Sequence, residues 1–369
     1  MKRVLQAFCS LEISGGVQSV VMNTFRQIDR TKVQFDFAVY QDPKENSYRD
    51  EITENGGQVF KVHNPGEIGL IGFYKEFYEL FKSHKFDAVH AHNIHHNGLI
   101  LLAAMNAGVP IRISHCHQSF DERNTSFPRK ALVKALEIVN NYAATRRVAC
   151  SDLAGQYLYG KRKFQFLPNA IDISRYTGLN DKTTLRKQYG ISEDTRVLIH
   201  IGRYCVQKNQ FFLIDIMKSI KEENQDYLLL MIGDGALKES FMDAVKENGL
   251  DDKIKCLGIR KDVPELLKLS DIMLLPSIYE GLPVVAVEAQ AAGCYSILSD
   301  EITRQSNLKL GLVDFEKIDD PIRWKNRIIN FKEKSAADNT ILLKSMKRQR
   351  FDTETNLNAW YKLYGVNGE

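Results

Sequence analysis

Apolar and polar positions alternate along the chain in a rhythm of short β-rich runs and longer helical segments. In the N-terminal half, segments with a 3.6-residue period separate the apolar runs. These runs are Val4–Cys9, Val33–Tyr40, Gln58–Val62, Ala88–Ala91 and Ile111–Ser114. Such alternation predicts an α/β domain built around a parallel sheet.

The second half of the chain repeats this rhythm. A polar loop and a helical stretch follow each of its apolar runs, which are Val197–Ile201, Leu228–Ile232, Ile254–Leu257, Ile272–Leu275 and Tyr295–Leu298. The pattern predicts a second parallel sheet. A length of 369 residues also suits two domains of ordinary size.

A proline-and-Asx turn at Pro168–Asp172 separates the two series of strands. Polar residues follow it to about Thr195, so we expect the domain connection there. After the last predicted strand the chain is helical and ends on the aromatic-bearing segment Trp360–Tyr364. We therefore predict a first domain over residues 1–170, joined by a C-terminal helix over 351–369, and a second domain over 171–350.

Composition narrows the class of protein. A hydrophobic fraction of 44% and a charged fraction of 26% are typical of a folded soluble chain and exclude disorder. No apolar run approaches the roughly 20 residues of a membrane-spanning helix, and residues 1–4 lead directly into a strand-like run without a signal peptide. We therefore expect a cytoplasmic protein, whose six scattered cysteines are reduced and buried.

The net charge of +4 is small, which argues against nucleic-acid binding, but its distribution is uneven. The stretch from Arg123 to Lys163 contains nine basic and two acidic residues, which gives it a local charge of +7. This basic stretch is either a solvated helix face or a patch that meets anionic lipid or a phosphorylated substrate. The sequence does not choose between them.

Two glutamates carry the most specific chemistry. Glu280 follows the run Ile272–Leu275, at the carboxyl end of a predicted strand, where open α/β sheets bind ligands. Glu288 comes eight residues later, a little over two helical turns, so both carboxylates can project into one cleft and accept hydrogen bonds from sugar or ribose hydroxyls. The alternative is a capping glutamate and a surface glutamate, but an idle charge within this apolar helix would be costly.

The segment between these glutamates begins a helix. Its first residues are Gly281, Leu282 and Pro283, and the free N–H groups and positive dipole end of such a helix favour an anion. Arg203 and Lys208 follow the run Val197–Ile201 and belong at the same sheet edge. An arginine fork and a lysine point charge there suit a diphosphate, unless they are simply paired surface cations.

Glycines and histidines add weaker signals in the first half. Gly15 and Gly16 precede a helix beginning near Val17, so the backbone can approach a ligand closely, although a simple turn would look the same. Six of the nine histidines lie between His90 and His117. No carboxylate or cysteine complement accompanies them, so they do not support a zinc site. A structural role is as consistent with the pattern as a role in lining a ligand site.

In their order along the chain, these motifs resemble the retaining glycosyltransferases of the GT-B type, family 4, whose signature is two glutamates separated by seven residues. Glu280 and Glu288 match that signature. The resemblance extends to Gly15-Gly16-Val17, Pro168–Asp172, Gly202-Arg203 with Lys208, Gly233-Asp234-Gly235 and Leu257–Val263. One departure is Gln18, where the family has a glutamate.

The resemblance implies two Rossmann-like domains that face each other across a cleft, with the donor in the C-terminal domain. It implies that Arg203 and Lys208 stabilise the leaving diphosphate. It implies that Glu280 orients the donor sugar together with His117, which lies in the loop after the fifth strand. It also implies that the donor is bound by Gly15, Gly16, Gly235, Arg260, Gly281, Leu282, Pro283 and Glu288.

The function that follows is the transfer of a sugar from a nucleotide-diphosphate donor, a UDP-sugar, to a hydroxyl of a glycan or polyprenyl-diphosphate-linked acceptor in surface-polysaccharide synthesis. No D-x-D motif occurs, so we expect neither a metal nor a cofactor. Partners would be the nucleotide sugar, the acceptor and an anionic membrane surface, without nucleic acid. A UDP-sugar epimerase of the same architecture and an inactive binding subunit are the alternatives.

Overall fold

The computed structural model describes residues 1–13, 15–41, 47–120, 126–221, 223–332 and 339–366. Contacts divide the chain into two compact units. Unit 1 comprises Met1–Ala170 with Thr353–Glu369, and unit 2 comprises Ile171–Asp352. Arg123, the first residue of the basic stretch, lies outside the described residues. Among the helices that are described, none combines the length and the apolar character needed to cross a membrane.

Unit 1 contains a seven-stranded parallel sheet in the order β3-β2-β1-β4-β5-β6-β7. Its strands are β1 (Lys2–Ser10), β2 (Val33–Gln41), β3 (Val59–Lys61), β4 (Ala88–Ala91), β5 (Ile111–Cys116), β6 (Arg146–Ala149) and β7 (Gln165–Phe166). The connecting helices are α1 (Gly16–Gln27), α2 (Arg49–Glu54), α3 (Pro65–Ser83), α4 (Asn97–Asn106), α5 (Phe127–Ala143) and α6 (Asp152–Tyr159). The sequence predicted the first five strands but neither β6 nor β7.

Local sequence explains the start and the buried face of α3, which kinks at Gly69, where φ is +70°. Asn64 accepts a hydrogen bond from the Gly66 amide at 2.6 Å and Glu67 reaches back to the Asn64 amide at 3.2 Å, which together form a capping box. Phe73, Phe77 and Phe81 recur every four residues and are buried. They place one apolar stripe of α3 against the sheet of unit 1.

Unit 2 contains a six-stranded parallel sheet in the order β10-β9-β8-β11-β12-β13. Its strands are β8 (Arg196–Ile201), β9 (Tyr227–Ile232), β10 (Ile254–Gly258), β11 (Ile272–Leu275), β12 (Tyr295–Ser299) and β13 (Val313–Glu316). Its helices are α7 (Lys182–Gln188), α8 (Phe211–Ile220), α9 (Lys238–Glu247), α10 (Val263–Leu269), α11 (Val284–Ala291), α12 (Pro321–Ile329) and α13 (Asn339–Gln349). The two parallel-sheet α/β units confirm the predicted fold class.

The segment after the Pro168–Asp172 turn is more structured than a polar connection. It holds a 3₁₀ turn, Ile173–Tyr176, and helix α7, which packs against α10. Leu185 anchors α7 by its burial, and Arg186 donates to the buried Asp271 carboxylate at 2.7 Å. The segment therefore belongs to the body of unit 2.

Helix α14 (Thr353–Leu363) returns the chain to unit 1, where it packs against α1. The side chains of Trp360 and Tyr364 are almost fully buried. The Tyr361 hydroxyl accepts a hydrogen bond from the Asp29 amide at 2.8 Å. The last helix therefore completes the core of the first domain.

The cysteines only partly match expectation. All six are free thiols, and Cys116, Cys150 and Cys294 are buried as predicted. The other three correct the expectation of uniform burial, since Cys9 is exposed and Cys205 and Cys256 are partly exposed.

Candidate functional site

The strand order reverses beside the first strand of each sheet, between β1 and β4 in unit 1 and between β8 and β11 in unit 2. Ligands of open α/β sheets bind at the carboxyl ends of the strands at such switch points. In unit 2 the segments that leave β8 and β11 carry Lys208 and Glu280. The predicted site residues therefore follow the two strands that flank the reversal.

Lys208 and Glu280 form an ion pair at this edge. The Lys208 Nζ lies 2.5 Å from Glu280 Oε1, and the two side chains are 16% and 9% exposed. The Gln207 amide also approaches Glu280 Oε2 at 3.4 Å. The two largely buried charges thus hold each other in place.

The backbone fixes this pair by tying the two loops together. The Ile278 amide donates to the Gln207 carbonyl at 2.8 Å, and Gln207 Nε2 donates to the Tyr279 carbonyl at 3.0 Å. Asn209, in the left-handed conformation at φ 53°, donates from Nδ2 to the Pro276 carbonyl at 3.2 Å. One main-chain hydrogen bond and two side-chain hydrogen bonds to carbonyls therefore set the position of Lys208 relative to Glu280.

Arg203 is exposed and precedes Lys208 in the segment after β8, which packs closely on the turn that follows β9. A Cβ on Gly235, whose φ is +153°, would lie 2.6 Å from the Tyr204 carbonyl and 2.9 Å from Arg203 Cγ. The Tyr204 amide donates to the Asp234 carbonyl at 3.0 Å. Gly235 thus shapes the support of Arg203, because any side chain there would push that loop away.

Helix α11 begins at Val284, three residues later than the sequence predicted, because the chain is still extended at Pro283 (ψ 117°). Gly281, Leu282 and Pro283 are buried, Pro283 is the N-cap, and no side chain caps the helix. The first amides of α11 are therefore not satisfied by a capping side chain, which leaves the positive end of the helix dipole to another group.

Glu288 lies on α11 and accepts a hydrogen bond from the Tyr176 hydroxyl at 2.9 Å. Burial raises the pKa of the Glu288 carboxyl above its ordinary value, while the Tyr176 hydrogen bond opposes that rise. The same carboxylate and burial raise the pKa of Tyr176 well above its ordinary value. Glu280 and Glu288 thus have separate partners, and Glu288 is a partly buried acceptor held by a neutral phenol.

Arg260, in the loop after β10, is tied to Asp262. Its Nε and Nη2 donate to the two carboxylate oxygens at 2.8 and 2.5 Å. The Tyr189 hydroxyl donates to the same carboxylate at 2.5 Å and to Glu265 at 2.9 Å. The Arg260 fork holds the pKa of Asp262 below its usual range. Arg260 is therefore a fixed part of its loop.

Several of these partners were missed by sequence reasoning. Tyr176 and Tyr189 lie in the segment interpreted as a connection, and Gln207 sits inside the Arg203–Lys208 motif without comment. His200 on β8 is buried, donates toward the Leu274 carbonyl at 2.9 Å, and has its pKa lowered to about 4 by burial. Its place one residue before the end of β8 was the available signal.

The glycine turn in unit 1 has a local explanation. Gly15 caps α1, and a Cβ there would lie 2.0 Å from Gln18 Oε1. The Gln18 side chain folds back over Gly15, is buried, and donates from Nε2 to the Ser10 carbonyl at 2.9 Å. The space above Gly15 is thus filled by Gln18, the residue that departs from the family pattern, while Gly16 begins the helix.

His117 follows β5 in unit 1 and is 7% exposed. Its Nε2 lies 2.9 Å from His92 Nδ1, and its Nδ1 lies 3.1 Å from Asn169 Oδ1. Burial lowers the pKa of His117 to about 4, partly offset by Asn169. His117 is therefore neutral at physiological pH, with both ring nitrogens in contact with a neighbour.

Three further histidines were weighed for a metal. Among the described residues, ring nitrogens of His90, His92 and His115 lie within 4.8 Å of one another, and all three side chains are buried. His90 Nε2 lies 3.0 Å from His115 Nδ1, and His92 Nε2 lies 3.0 Å from Gln6 Oε1. A cation there would meet three neutral rings with no carboxylate or thiolate among them, and would have to displace these hydrogen bonds.

Comparison with known proteins identifies the family of the chain. A family model described as "Glycosyltransferase Family 4" matches residues 14–175, and one described as "Glycosyl transferases group 1" matches residues 181–307. A Bacillus subtilis (strain 168) protein named as glycosyltransferase EpsF is 31% identical, over 100% of this chain and 97% of its own length.

Two more relatives cover most of the chain. The Escherichia coli UDP-Gal:alpha-D-GlcNAc-diphosphoundecaprenol alpha-1,3-galactosyltransferase is 31% identical, over 79% of this chain and 77% of its own. The crystal structure of Anabaena HepE in complex with UDP-glucose superposes with a TM-score of 0.79 at 18% identity, over 99% of this chain and 100% of that one. The fold, the family models and the sequence relatives agree: the chain is a glycosyltransferase of family 4, with the GT-B fold of that family.

Proposed function

We propose that this glycosyltransferase moves a sugar, with retention of its anomeric configuration, from a UDP-sugar to a hydroxyl of a glycan or polyprenyl-diphosphate-linked acceptor in surface-polysaccharide synthesis. The observation that carries the proposal is the Lys208–Glu280 ion pair at the β8/β11 switch point, with Arg203 in the same segment as Lys208 and the uncapped end of α11 four residues after Glu280.

The charges at this edge suit a diphosphate. Arg203 and Lys208 contribute two positive charges and Glu280 one negative charge, so the resting site has an excess of one positive charge. A diphosphate would draw the Lys208 ammonium away from Glu280, and the freed carboxylate could accept hydrogen bonds from sugar hydroxyls. The uncapped amides of α11 would add donors to the phosphate oxygens.

Glu288 would bind the ribose. A carboxylate can accept two hydrogen bonds from vicinal hydroxyls, and the Tyr176 hydroxyl already orients Oε1. Gly235 and the loop that carries Arg260 leave the neighbouring strands β9 and β10, where the main chain of the loop would face the base. These residues would therefore hold the nucleotide of the donor.

Catalysis would rest on the leaving group. Negative charge grows on the departing diphosphate, so Arg203 and Lys208 would bind the transition state more strongly than the bound donor. The leaving phosphate would accept the proton of the incoming hydroxyl on the same face of the sugar. His117 and Glu280 would orient that sugar. Glu280 and Glu288 would serve as donor ligands, and not as the acid and nucleophile of a glycosidase.

The proposal of a lipid-linked acceptor is supported by the name of the Escherichia coli relative, which contains a diphosphoundecaprenol. Helix α5 in unit 1 offers a face for such a lipid. At spacings of three or four residues this face carries two central lysines flanked by apolar side chains, and its residues are Phe127, Lys130, Lys134, Ile138 and Tyr142. The three apolar side chains are 84%, 60% and 72% exposed.

Exposed aromatic and aliphatic groups on either side of two lysines suit the boundary of an anionic bilayer, where lysine stems snorkel toward the headgroups. The opposite side of α5, with Val133 and Leu136, is buried in unit 1. Contact with the membrane through this face, a metal-free reaction and a cytoplasmic location are parts of the proposal.

A transfer assay tests it. The full chain is incubated with a panel of UDP-sugars, with and without polyprenyl-diphosphate-linked sugar acceptors, and the products are analysed by NMR. Transfer that needs the acceptor, with the anomeric configuration retained, is the expected result. Isomerisation of the UDP-sugar alone would indicate an epimerase, an inverted product would refute retention, and no reaction with any donor would leave a binding subunit.

A further inference from the structure

The side chain of His200 lies where the strand order of unit 2 reverses. Strand β8 pairs with β11 through Leu198 and Ile199, and His200 is the next residue of β8. Its side chain is fully buried, and its Nδ1 lies 2.9 Å from the carbonyl oxygen of Leu274 on β11. The ring therefore continues the link between the two strands beside the proposed donor site.

This contact determines which ring nitrogen of His200 carries the proton. A carbonyl oxygen only accepts hydrogen bonds, so Nδ1 must be the donor in its contact with Leu274. Burial lowers the pKa of His200 to about 4, which the contact with the Leu274 carbonyl only partly offsets. The ring is therefore neutral at physiological pH, and its Nε2 carries a lone pair.

The lone pair on His200 Nε2 is unused within the described part of the chain. This atom is buried, and none of the described residues contacts it at hydrogen-bond geometry. An unpaired acceptor in the interior of a protein is costly, and where one persists a functional role is among its explanations. A hydrogen-bond donor for Nε2 would have to come from a neighbouring side chain or from a ligand.

Lys208 is a neighbour with such a donor. A Cβ built on Gly202 would lie 3.3 Å from His200 Nε2 and 3.2 Å from both Cδ and Cε of Lys208. The lysine stem and the histidine nitrogen therefore flank one small space, which stays open because residue 202 has no side chain. The Gly202 amide donates to the Ile232 carbonyl at 2.9 Å, which fixes one wall of this space.

The ammonium of Lys208 has more donors than its ion pair uses. It carries three N–H groups, and its Nζ lies 2.5 Å from Glu280 Oε1. Rotation about the last two bonds of the side chain moves Nζ while Cδ stays beside Gly202. A hydrogen bond from a charged ammonium is stronger than one between neutral groups, so the lone pair of His200 is a favourable second partner.

We propose that His200 is a positioning residue: when a diphosphate draws the Lys208 ammonium away from Glu280, His200 Nε2 accepts one of its N–H groups and holds the cation against the phosphate. The other N–H groups then remain for phosphate oxygens. Without this anchor the ammonium would sit on a flexible four-carbon stem and lose its fixed geometry. The inference rests on the proposed function for the role of Lys208, and it extends that role to the strand beneath it.

NMR of full-length protein labelled with ¹⁵N in histidine detects this hydrogen bond directly. His200→Gln identifies the His200 signals in a two-bond ¹H–¹⁵N correlation. An unprotonated ring nitrogen that accepts a hydrogen bond shifts toward the frequency of a protonated one. We expect this shift at Nε2 when UDP saturates the wild type, and we expect no such shift in Lys208→Ala at saturation.

Glu280→Met tests the contact without a nucleotide. It removes both carboxylate oxygens at similar volume, so the Lys208 ammonium loses its ion-pair partner and should turn to His200. The Nε2 shift should therefore appear in Glu280→Met without UDP and disappear when Lys208→Ala is added. His115 is the internal control, because its Nε2 is also buried without a described partner but lies in unit 1. Its signals should not move in Glu280→Met.

Two variants separate positioning from a merely structural role. His200→Asn keeps a donor in the place of Nδ1 and loses the acceptor, whereas His200→Gln places an amide oxygen where Nε2 lies and loses the bond to Leu274. We expect His200→Asn to lower kcat about 10-fold with little change in KM, and His200→Gln to keep most of the wild-type kcat. If kcat in both variants instead follows their stability in thermal melts, His200 is only structural.

Failure of the inference and failure of the proposed function are distinguishable. An Nε2 shift in Glu280→Met, with no sugar transfer by the wild type, would contradict the proposed function and leave the Lys208–His200 contact in place. Sugar transfer by the wild type, with an Nε2 signal that moves neither with UDP nor in Glu280→Met, would overturn the inference alone. An Nε2–H pattern for His200 in the wild type without UDP would also overturn it.

Discussion

Replacing Glu288 by Gln separates the donor-binding role of this carboxylate from its part in the fold. The variant keeps an oxygen that can accept from the Tyr176 hydroxyl, which lies 2.9 Å from Oε1 in the wild type. It removes only the negative charge. A hydrogen bond to a charged group contributes about 1.5–3 kcal/mol, so donor affinity should fall about 12- to 160-fold.

The same substitution should not cost stability. Burial raises the folded-state pKa of Glu288 above its unfolded value, so the folded protein binds the proton more tightly. The contribution of this group to stability is then largest below the unfolded pKa and is lost as the pH rises through the folded pKa. Glu288→Gln should therefore be at least as stable as the wild type at neutral pH, and the difference should vanish in acid.

The assay combines calorimetric titration of the UDP-sugar with thermal melts across pH. Because the raised pKa protonates Glu288 at a higher pH than an ordinary glutamate, wild-type affinity should fall toward that of Glu288→Gln as the solution is acidified. Glu247→Gln on the exposed end of α9 is the matched control and should change neither quantity. Unchanged donor affinity in Glu288→Gln at neutral pH would refute the ribose role.

The remaining predictions concern the diphosphate, the metal and the membrane. Arg203→Ala and Lys208→Ala should each lower kcat in the transfer assay, and full activity in both would place the diphosphate elsewhere. Lys208→Ala should also lower the free energy of unfolding, measured by denaturant melts, by about 3–5 kcal/mol, because it removes the ion-pair partner of Glu280. The double variant with Glu280→Gln should regain stability but not turnover. EDTA should leave the rate unchanged; loss of activity that manganese restores would overturn the metal-free proposal. Replacing the exposed α5 residues Arg129, Lys130 and Lys134 by Glu should weaken binding to anionic liposomes about 100-fold and leave donor binding unchanged. The same charge reversal at residues 161–163 is the control and should not weaken liposome binding. Equal effects of the two triple variants would show that net charge alone governs the binding.

The strands that the sequence predicted are buried strands made mostly of apolar residues. Strand β11 is apolar throughout because helices cover both faces of a parallel sheet, and all four of its residues are buried. Strand β6 was not predicted because it begins with two arginines, which were interpreted as part of a basic patch. Arg147 instead donates to the Asn141 carbonyl at 2.7 Å, which ties the strand to the end of α5.

Strand β13 was not predicted for a related reason. Its Asp314 and Glu316 interrupt the apolar pattern, yet both carboxylates pair with Arg327 on α12, at 2.9 and 2.5 Å. Edge strands carry such charges because only part of their surface is covered. Hydrophobic periodicity therefore identified one edge strand of each sheet, β3 and β10, and missed the strands at the opposite edge, β6 with β7 and β13.

The chemistry of the site was visible in the sequence, but its pairing was not. Glu280 and Lys208 were expected at one edge because they follow β11 and β8, which proved to be neighbours. Their contact with each other depends on two loops 72 residues apart in the chain. Tyr176 was missed for the same reason, since nothing in a polar turn indicates that its hydroxyl will reach a helix 112 positions later.

The central claim is that the donor binds at the β8/β11 edge of unit 2, and a crystal structure of the full chain with a UDP-sugar tests it most directly. The account predicts diphosphate oxygens within hydrogen-bond distance of Arg203 and Lys208, with ribose hydroxyls on Glu288. A UDP-sugar seated elsewhere, with the Lys208–Glu280 ion pair intact and the diphosphate on the Gly15–Gly16 turn, would contradict it.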